Sequence, residues 1–201
     1  MTTKVVIASR NEHKIDEMRR ILDPAGLDLE LVGIKEFPDL PDVDEIGPTF
    51  AANALLKARD MCAFTGLPAI ADDSGLCVDA LNGMPGILSA RWAGGHGDDR
   101  ANLELLLAQI SHVATERRTA AFHCAAAIAL PNGVEQVVEG IMTGRVIDSP
   151  RGDNGFGYDP IFVADGYEIT TAEMDSAGKD AISHRGLAIA ALVPVLSQLL
   201  S

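Results

Sequence analysis

Aromatic residues are scarce in this 201-residue chain, which has six Phe, two Tyr and one Trp. Cysteine is scarcer, with only Cys62, Cys77 and Cys124. No two of them are close enough in sequence to form a metal-binding pair. An odd count with no export signal points to reduced thiols used in packing. No apolar run reaches the ~20 residues that a membrane helix requires. The opening MTTKVVIASRNEHK turns charged too early for a signal peptide, so the expected location is cytoplasmic, with no membrane partner. Basic residues are the minority charge: 16 Lys and Arg against 29 Asp and Glu, net −13. That argues against a nucleic-acid partner, which wants a basic face. A small anionic substrate must instead meet locally gathered lysines and arginines, or a divalent cation.

What is present suits a globular fold. Hydrophobic residues make up 47% and charged residues 22%, and the length suits a single domain, 1–201, with a sizeable core. KVVIAS reads as a buried strand, and NEHKIDEMRRIL as a helix with Ile15, Met18, Ile21 and Leu22 on one face. LDLELVG is a second strand. After the acidic, proline-rich FPDLPDVDEIGP, the segment TFAANALLKARDMCAF reads as a helix with Thr49 as its N-cap. LPAIA is a third strand, and SGLCVDALNG is expected to be a short helix ending at Gly83. DRANLELLLAQI is an amphipathic helix. RRTAAFHCAAAIAL and VEQVVEGIMTGRVI, joined through PNG, read as an antiparallel hairpin. GFGYDPIFV is glycine-rich and then strand-like. AISHRGLAIAALVPVLSQLL closes the chain as a helix interrupted or bent near Pro194. The expected class is α/β with a mixed central sheet flanked by helices.

Several segments carry chemical possibilities. In SRNEHK a strand gives way to a helix near Asn11, where backbone N–H groups and the helix dipole attract phosphate, and Lys14 adds charge one turn in. The Walker spacing is absent, so an ordinary strand-to-helix turn fits as well. Asn53 and Lys57 stand four apart and so share one helical face. Lys57 either reaches phosphate or lies on a solvated face. Asp42, Asp44 and Glu45 either form an ordinary solvated acidic loop or offer oxygen ligands for a hard cation such as Mg2+. In ADDSG two aspartates adjoin, and strand alternation sends them to opposite faces. One of them then either caps the following helix or joins a metal site. PRGDNGFGYDP is either a structural turn or a loop whose backbone approaches a ligand closely, with Phe156 and Tyr158 offering faces suited to stacking on a base. KDAISHRG adds Lys179, His184 and Arg185, with Ser183 available as a cap. Taken together these segments describe a nucleoside triphosphate site.

The segments SRNEHK, EIGPTFAANALLKA, ADDSGL, GMPGILSAR, PRGDNGFGYDPIF and AISHRG, in this order, resemble the inosine-triphosphatase family of bacterial dITP/XTP pyrophosphatases. The resemblance implies an elongated α/β fold with a cleft between two lobes. It implies hydrolysis of ITP, dITP and XTP to monophosphate and pyrophosphate, with Mg2+ as cofactor, in a homodimer. It assigns Ser9, Arg10, Asn11, Glu12, His13, Lys14 and Lys57 to the triphosphate and Ser74 to the substrate. Asp73 becomes the catalytic acceptor of the water proton and a metal ligand. Glu45 is the favoured second metal ligand, with Asp44 as the competitor. Ile46 stands where the family often has threonine. Phe156, Gly157, Tyr158, Asp159, Lys179, His184 and Arg185 are assigned to the base and its neighbouring groups. Arg185 is expected to donate to O6, which adenine lacks.

Overall fold

The structure is a computed structural model and describes residues 2–40 and 45–200. β1 (Thr3–Ile7) leads through Asn11 into α1 (Glu12–Leu22). β2 (Leu29–Gly33) and α2 (Phe50–Thr65) follow. β3 (Ala69–Val78) is a long strand, and β4 (Met84–Pro85) is a two-residue partner to it. α3 (Asp99–Gln109) precedes β5 (Thr119–Ala129) and β6 (Glu135–Val146). β7 (Phe162–Ala164), α4 (Ser176–Ile182) and α5 (His184–Leu199) complete the chain. Among the described residues the strands order as β2-β1-β3-β5-β6-β7, with β4 on β3. β1 pairs in parallel with β2 and β3, whereas β3–β4 and β6–β7 are antiparallel. The sheet is therefore mixed, as expected from the alternation of helices with a hairpin. No single described helix is long and apolar enough to cross a membrane.

The chain divides into two compact units. The first comprises Met1–Asp73, Cys124–Gly140 and Arg185–Ser201. Its strands alternate strictly. Val5, Ile7, Ile70, Cys124, Ala126 and Ile128 pack with Ile15, Met18 and Leu22 of α1 and with Ala188, Ile189, Leu192 and Leu196 of α5. Val6, Ala69, Ala71, Ala125, Ala127 and Ala129 face the other way, against Ala54, Ala58, Met61 and Cys62 of α2. The alanines on both partners leave room for close helix-on-sheet packing. Thr49 caps α2 by accepting from the Ala52 N–H at 3.1 Å, a contribution of about 1 kcal/mol. The β5–β6 turn falls at Asn132–Gly133, where Gly133 takes φ +85° and its N–H donates to Leu130 O at 2.9 Å.

The second unit comprises Ser74–His123 and Ile141–His184. Its core gathers Leu76 and Val78 of β3, Leu103, Leu106 and Ile110 of α3, Phe122 of β5, and Tyr158, Ile161 and Phe162.

Two expectations are overturned. Residues 74–78 are strand and not helix, and only Asp79–Leu81 forms a single 3-10 turn. Leu76 and Val78 alternate into the core, Cys77 and Val78 pair with β4, and the Leu76 N–H donates to Ser89 Oγ at 2.9 Å. These partners are distant in sequence and override the local pattern. Second, the C-terminal helix is interrupted at Ser183, not at Pro194. Ser183 is extended, at ψ 151°, and α5 runs on through Pro194.

Candidate active site

Strand alternation decides where the adjacent aspartates go. Asp72 shares the face of Ile70, and Asp73 shares that of Ala69 and Ala71. Asp72 therefore points toward α1 and α5, while Asp73 points toward α2. Neither caps a helix, because none follows.

Asp72 is 2% exposed. Its Oδ2 lies 3.0 Å from Lys14 Nζ and 3.1 Å from Arg185 Nε. Arg185, equally buried, also donates through Nη1 to Glu17 on α1. Burial alone would raise the Asp72 pKa. Lys14, Arg185 and Lys57 outweigh it and hold the carboxyl well below the usual range. The same pairing raises Arg185 against the penalty of its burial. Asp72 Oδ1 has no hydrogen-bond partner among the described residues.

Asp73 has both oxygens engaged by one face of α2. Asn53 Nδ2 donates to Oδ2 at 3.1 Å, and Lys57 Nζ donates to Oδ1 at 3.1 Å. The four-residue spacing of Asn53 and Lys57 brings both to one carboxylate. Lys57 also reaches Glu45 Oε1 at 2.8 Å. Asn53 Oδ1 accepts from the Gly47 N–H at 2.7 Å, which fixes its amide. Burial pushes the Asp73 pKa up against Lys57 and Lys14, and Glu45 adds to the rise. Lys57 is likewise raised, because Asp73, Asp72 and Glu45 together overcome its burial. A carboxylate with elevated basicity, aimed by an amide and an ammonium, is equipped to accept a proton from water.

At the start of α1, Asn11 is the N-cap and accepts from the Lys14 N–H at 3.3 Å, and its own N–H donates to Ser9 Oγ at 3.2 Å. Arg10 reaches Leu40 O at 3.1 Å, Glu12 pairs with Lys35 at 2.7 Å, and His13 is exposed. Ser74 follows Asp73 in β3 and is half-buried. Asp42 and Asp44 lie outside the described residues.

The second unit holds a braced turn at residues 156–159. Asp159 Oδ2 accepts from the Phe156 N–H at 2.9 Å and from Lys179 Nζ at 2.6 Å, and Oδ1 accepts from Thr171 Oγ1 at 2.8 Å. The Gly157 N–H donates to Asp99 Oδ2 at 2.7 Å. Lys179 Nζ sits 5.3 Å from the centre of the half-buried Phe156 ring. His184 stacks on Phe122 with ring centres 4.7 Å apart. Tyr158 belongs to the core, with its hydroxyl on Ser89 O at 2.9 Å. Phe156 is thus the aromatic of this stretch with a face toward its surroundings, and Tyr158 is a packing residue.

Residues 5–195 match the Ham1 family profile. The chain belongs to the Ham1 family. It is 59% identical to a dITP/XTP pyrophosphatase of Streptomyces coelicolor, over 98% of this chain and 99% of that protein. A Mycobacterium tuberculosis dITP/XTP pyrophosphatase is 53% identical, over 99% of this chain and 98% of that one. The solved Staphylococcus aureus Ham1 protein superposes with TM-score 0.87 at 40% identity, covering 98% of this chain and 99% of that chain. The Coxiella burnetii HAM1 protein gives TM-score 0.88 at 40% identity, with the same coverage. The family that the motifs resemble is thereby established, together with its α/β fold.

Sequence reasoning about this Ham1-family chain missed Glu17, Asp99 and Thr171, and it weighed Asp72 only as a helix cap or a metal-site member. Asp72 carried a signal, since alternation requires it to meet a different face from Asp73. Glu17 had one too, because it shares α1 with Lys14 three residues away. Among the described residues no three acidic, His or Cys side chains form a ready cation cage. Glu45 and Asp73 around one ammonium nonetheless fit a hard divalent ion. Mg2+ is commonly held by one or two carboxylates and completed by phosphate and water. Ile46, beside Glu45, is 82% exposed.

Proposed function

We propose that this chain hydrolyses non-standard purine nucleoside triphosphates, with dITP, ITP and XTP as substrates, to the monophosphate and pyrophosphate. The observation that carries this reading is the full-length similarity to proteins named dITP/XTP pyrophosphatase. The buried Asp73–Lys57–Glu45 cluster agrees with it, since it combines a basic carboxylate with a lysine able to meet phosphate.

In this reading Asp73 accepts the proton of the water that attacks the α–β phosphoanhydride. Lys14 and Lys57 take up charge developing on the leaving pyrophosphate. Backbone N–H groups between Ser9 and Lys14, at the start of α1, bind phosphate oxygens. Glu45 and Asp73 would hold Mg2+, which would offset part of the triphosphate charge and lower the pKa of water. Ser74 contacts the substrate. Phe156 stacks on the purine, and Asp159 and Lys179 shape the turn around it. His184 and Arg185 address the purine edge, the guanidinium preset by Asp72 and Glu17. A donor aimed at O6 faces another donor in adenine, and a buried mismatch of that kind discriminates by about 10⁴-fold in favourable sites. A homodimer in the cytoplasm completes the reading.

A substrate panel tests it. With Mg2+ and inorganic pyrophosphate detection, kcat/KM for dITP, ITP and XTP is expected to exceed that for dATP and dGTP. Equal values across the panel, or release of orthophosphate alone, would reject the assignment.

A further inference from the structure

We propose that Lys57 is a placeholder cation: its ammonium occupies the metal-binding carboxylates Glu45 and Asp73 in the nucleotide-free protein and yields them only when a triphosphate is present to receive it. This rests on the reading of Glu45 and Asp73 as metal ligands.

One ammonium contacts both acids, at 2.8 Å and 3.1 Å, from a lysine whose side chain is 14% exposed. Both Asp73 oxygens are already taken, one by Lys57 and the other by Asn53. A dication that binds Asp73 through a remaining lone pair meets a neutral donor in Asn53 but a like charge in Lys57. The Asn53 amide is held at its other end by the Gly47 N–H, on a short side chain anchored in α2. Lys57 has a long, rotatable stem, and it is the donor that can leave.

Distance makes the exchange mutually exclusive. Mg2+ binds carboxylate oxygen at about 2.0–2.1 Å. An ammonium cannot remain in contact with the same two oxygens while a dication sits that close, because like charges in a desolvated site repel strongly. Once displaced, Lys57 needs another anionic partner. Asp72, the neighbouring acid, is already paired with Lys14 and Arg185. A polyphosphate supplies that anion. Cation and nucleotide thus bind with positive coupling, and the carboxylates are protected from adventitious divalent ions until substrate arrives. Coupling of this kind is reciprocal and commonly amounts to about 5–150-fold.

The test is Mn2+ binding followed by electron paramagnetic resonance, without nucleotide. Wild type, Lys57→Met and Lys57→Gln are compared after circular dichroism has shown that each is folded. Both variants are expected to bind Mn2+ more tightly than wild type by a factor within about 5–150. Adding Asp73→Asn to Lys57→Met is expected to abolish the gain. If neither lysine variant binds Mn2+ more tightly, the placeholder is wrong. A gain that survives Asp73→Asn overturns it as well, since the ion then binds elsewhere. Mn2+ binding in the presence of α,β-imido-dITP separates the two levels. If Glu45→Gln and Asp73→Asn weaken it there while the lysine variants change nothing without nucleotide, the metal ligands stand and only the placeholder falls. If they have no effect there either, the metal-ligand reading falls too.

Discussion

Asp72 and Arg185, separated by 113 positions in the chain, meet at 3.1 Å with both side chains almost wholly buried. The carboxylate is further neutralised by Lys14, and the guanidinium by Glu17. Removing one charge from such a network strands the others. Asp72→Asn is expected to destabilise the protein by about 3–5 kcal/mol in urea unfolding. A loss below 1 kcal/mol would show that the network is not buried in solution.

The same carboxyl sets a pH signature. Its pKa is lower in the folded protein than its ordinary value of 3.8, so its stabilisation is fully present above that value and lost as pH falls through the folded pKa. In Asp72→Asn, thermal unfolding scanned below pH 4 should lose part of the steep acid-side decline seen in wild type. An unchanged acid slope would contradict the assignment.

Asp73→Asn keeps the shape of the side chain, deletes the proposed base and keeps one of the two accepted hydrogen bonds, those from Asn53 and Lys57. Pyrophosphate release should fall by about 10²- to 10⁴-fold with the fold intact. Full activity in a folded variant would remove Asp73 from the chemistry.

Gly75 follows the two aspartates and Ser74 in β3. A Cβ there would lie 2.3 Å from Gly86 O and 2.4 Å from Ser89 Oγ. Ser89 is itself committed, donating to Gly86 O at 2.6 Å and accepting from the Leu76 N–H. Gly75→Ala should therefore cost about 1–3 kcal/mol of stability, read from urea unfolding. A neutral result would mean that the strand relaxes at no cost.

Thr171 has no exposed surface and braces Asp159 through its hydroxyl. In Thr171→Val one oxygen of a buried carboxylate loses its donor, a loss of about 1–3 kcal/mol. The 156–159 turn should loosen, and KM for dITP should rise more than kcat falls. A drop confined to kcat would place Thr171 in the chemical step instead.

Much of this was readable locally. Thr49 announced the start of α2, Asn132–Gly133 the hairpin, and the four-residue spacing of Asn53 and Lys57 a shared face. Each depends on neighbours within a turn. The strand at 74–78 was not readable, because Gly, Leu, Cys and Val there are decided by Ser89 and β4. Nor were the partners of Arg185, since Glu17 lies 168 positions away. Long-range pairing of that kind leaves no periodic trace. The metal question was half readable: the sequence shows the acids but not that a lysine stands between them.

The Asn53 amide grips the loop at Gly47 with one end and Asp73 with the other. Glu45 is two residues upstream of that grip. If Glu45 and Asp73 act as proposed, a ligand that draws Glu45 toward itself would also pull on the amide that holds Asp73, so that loading and arming would share one lever.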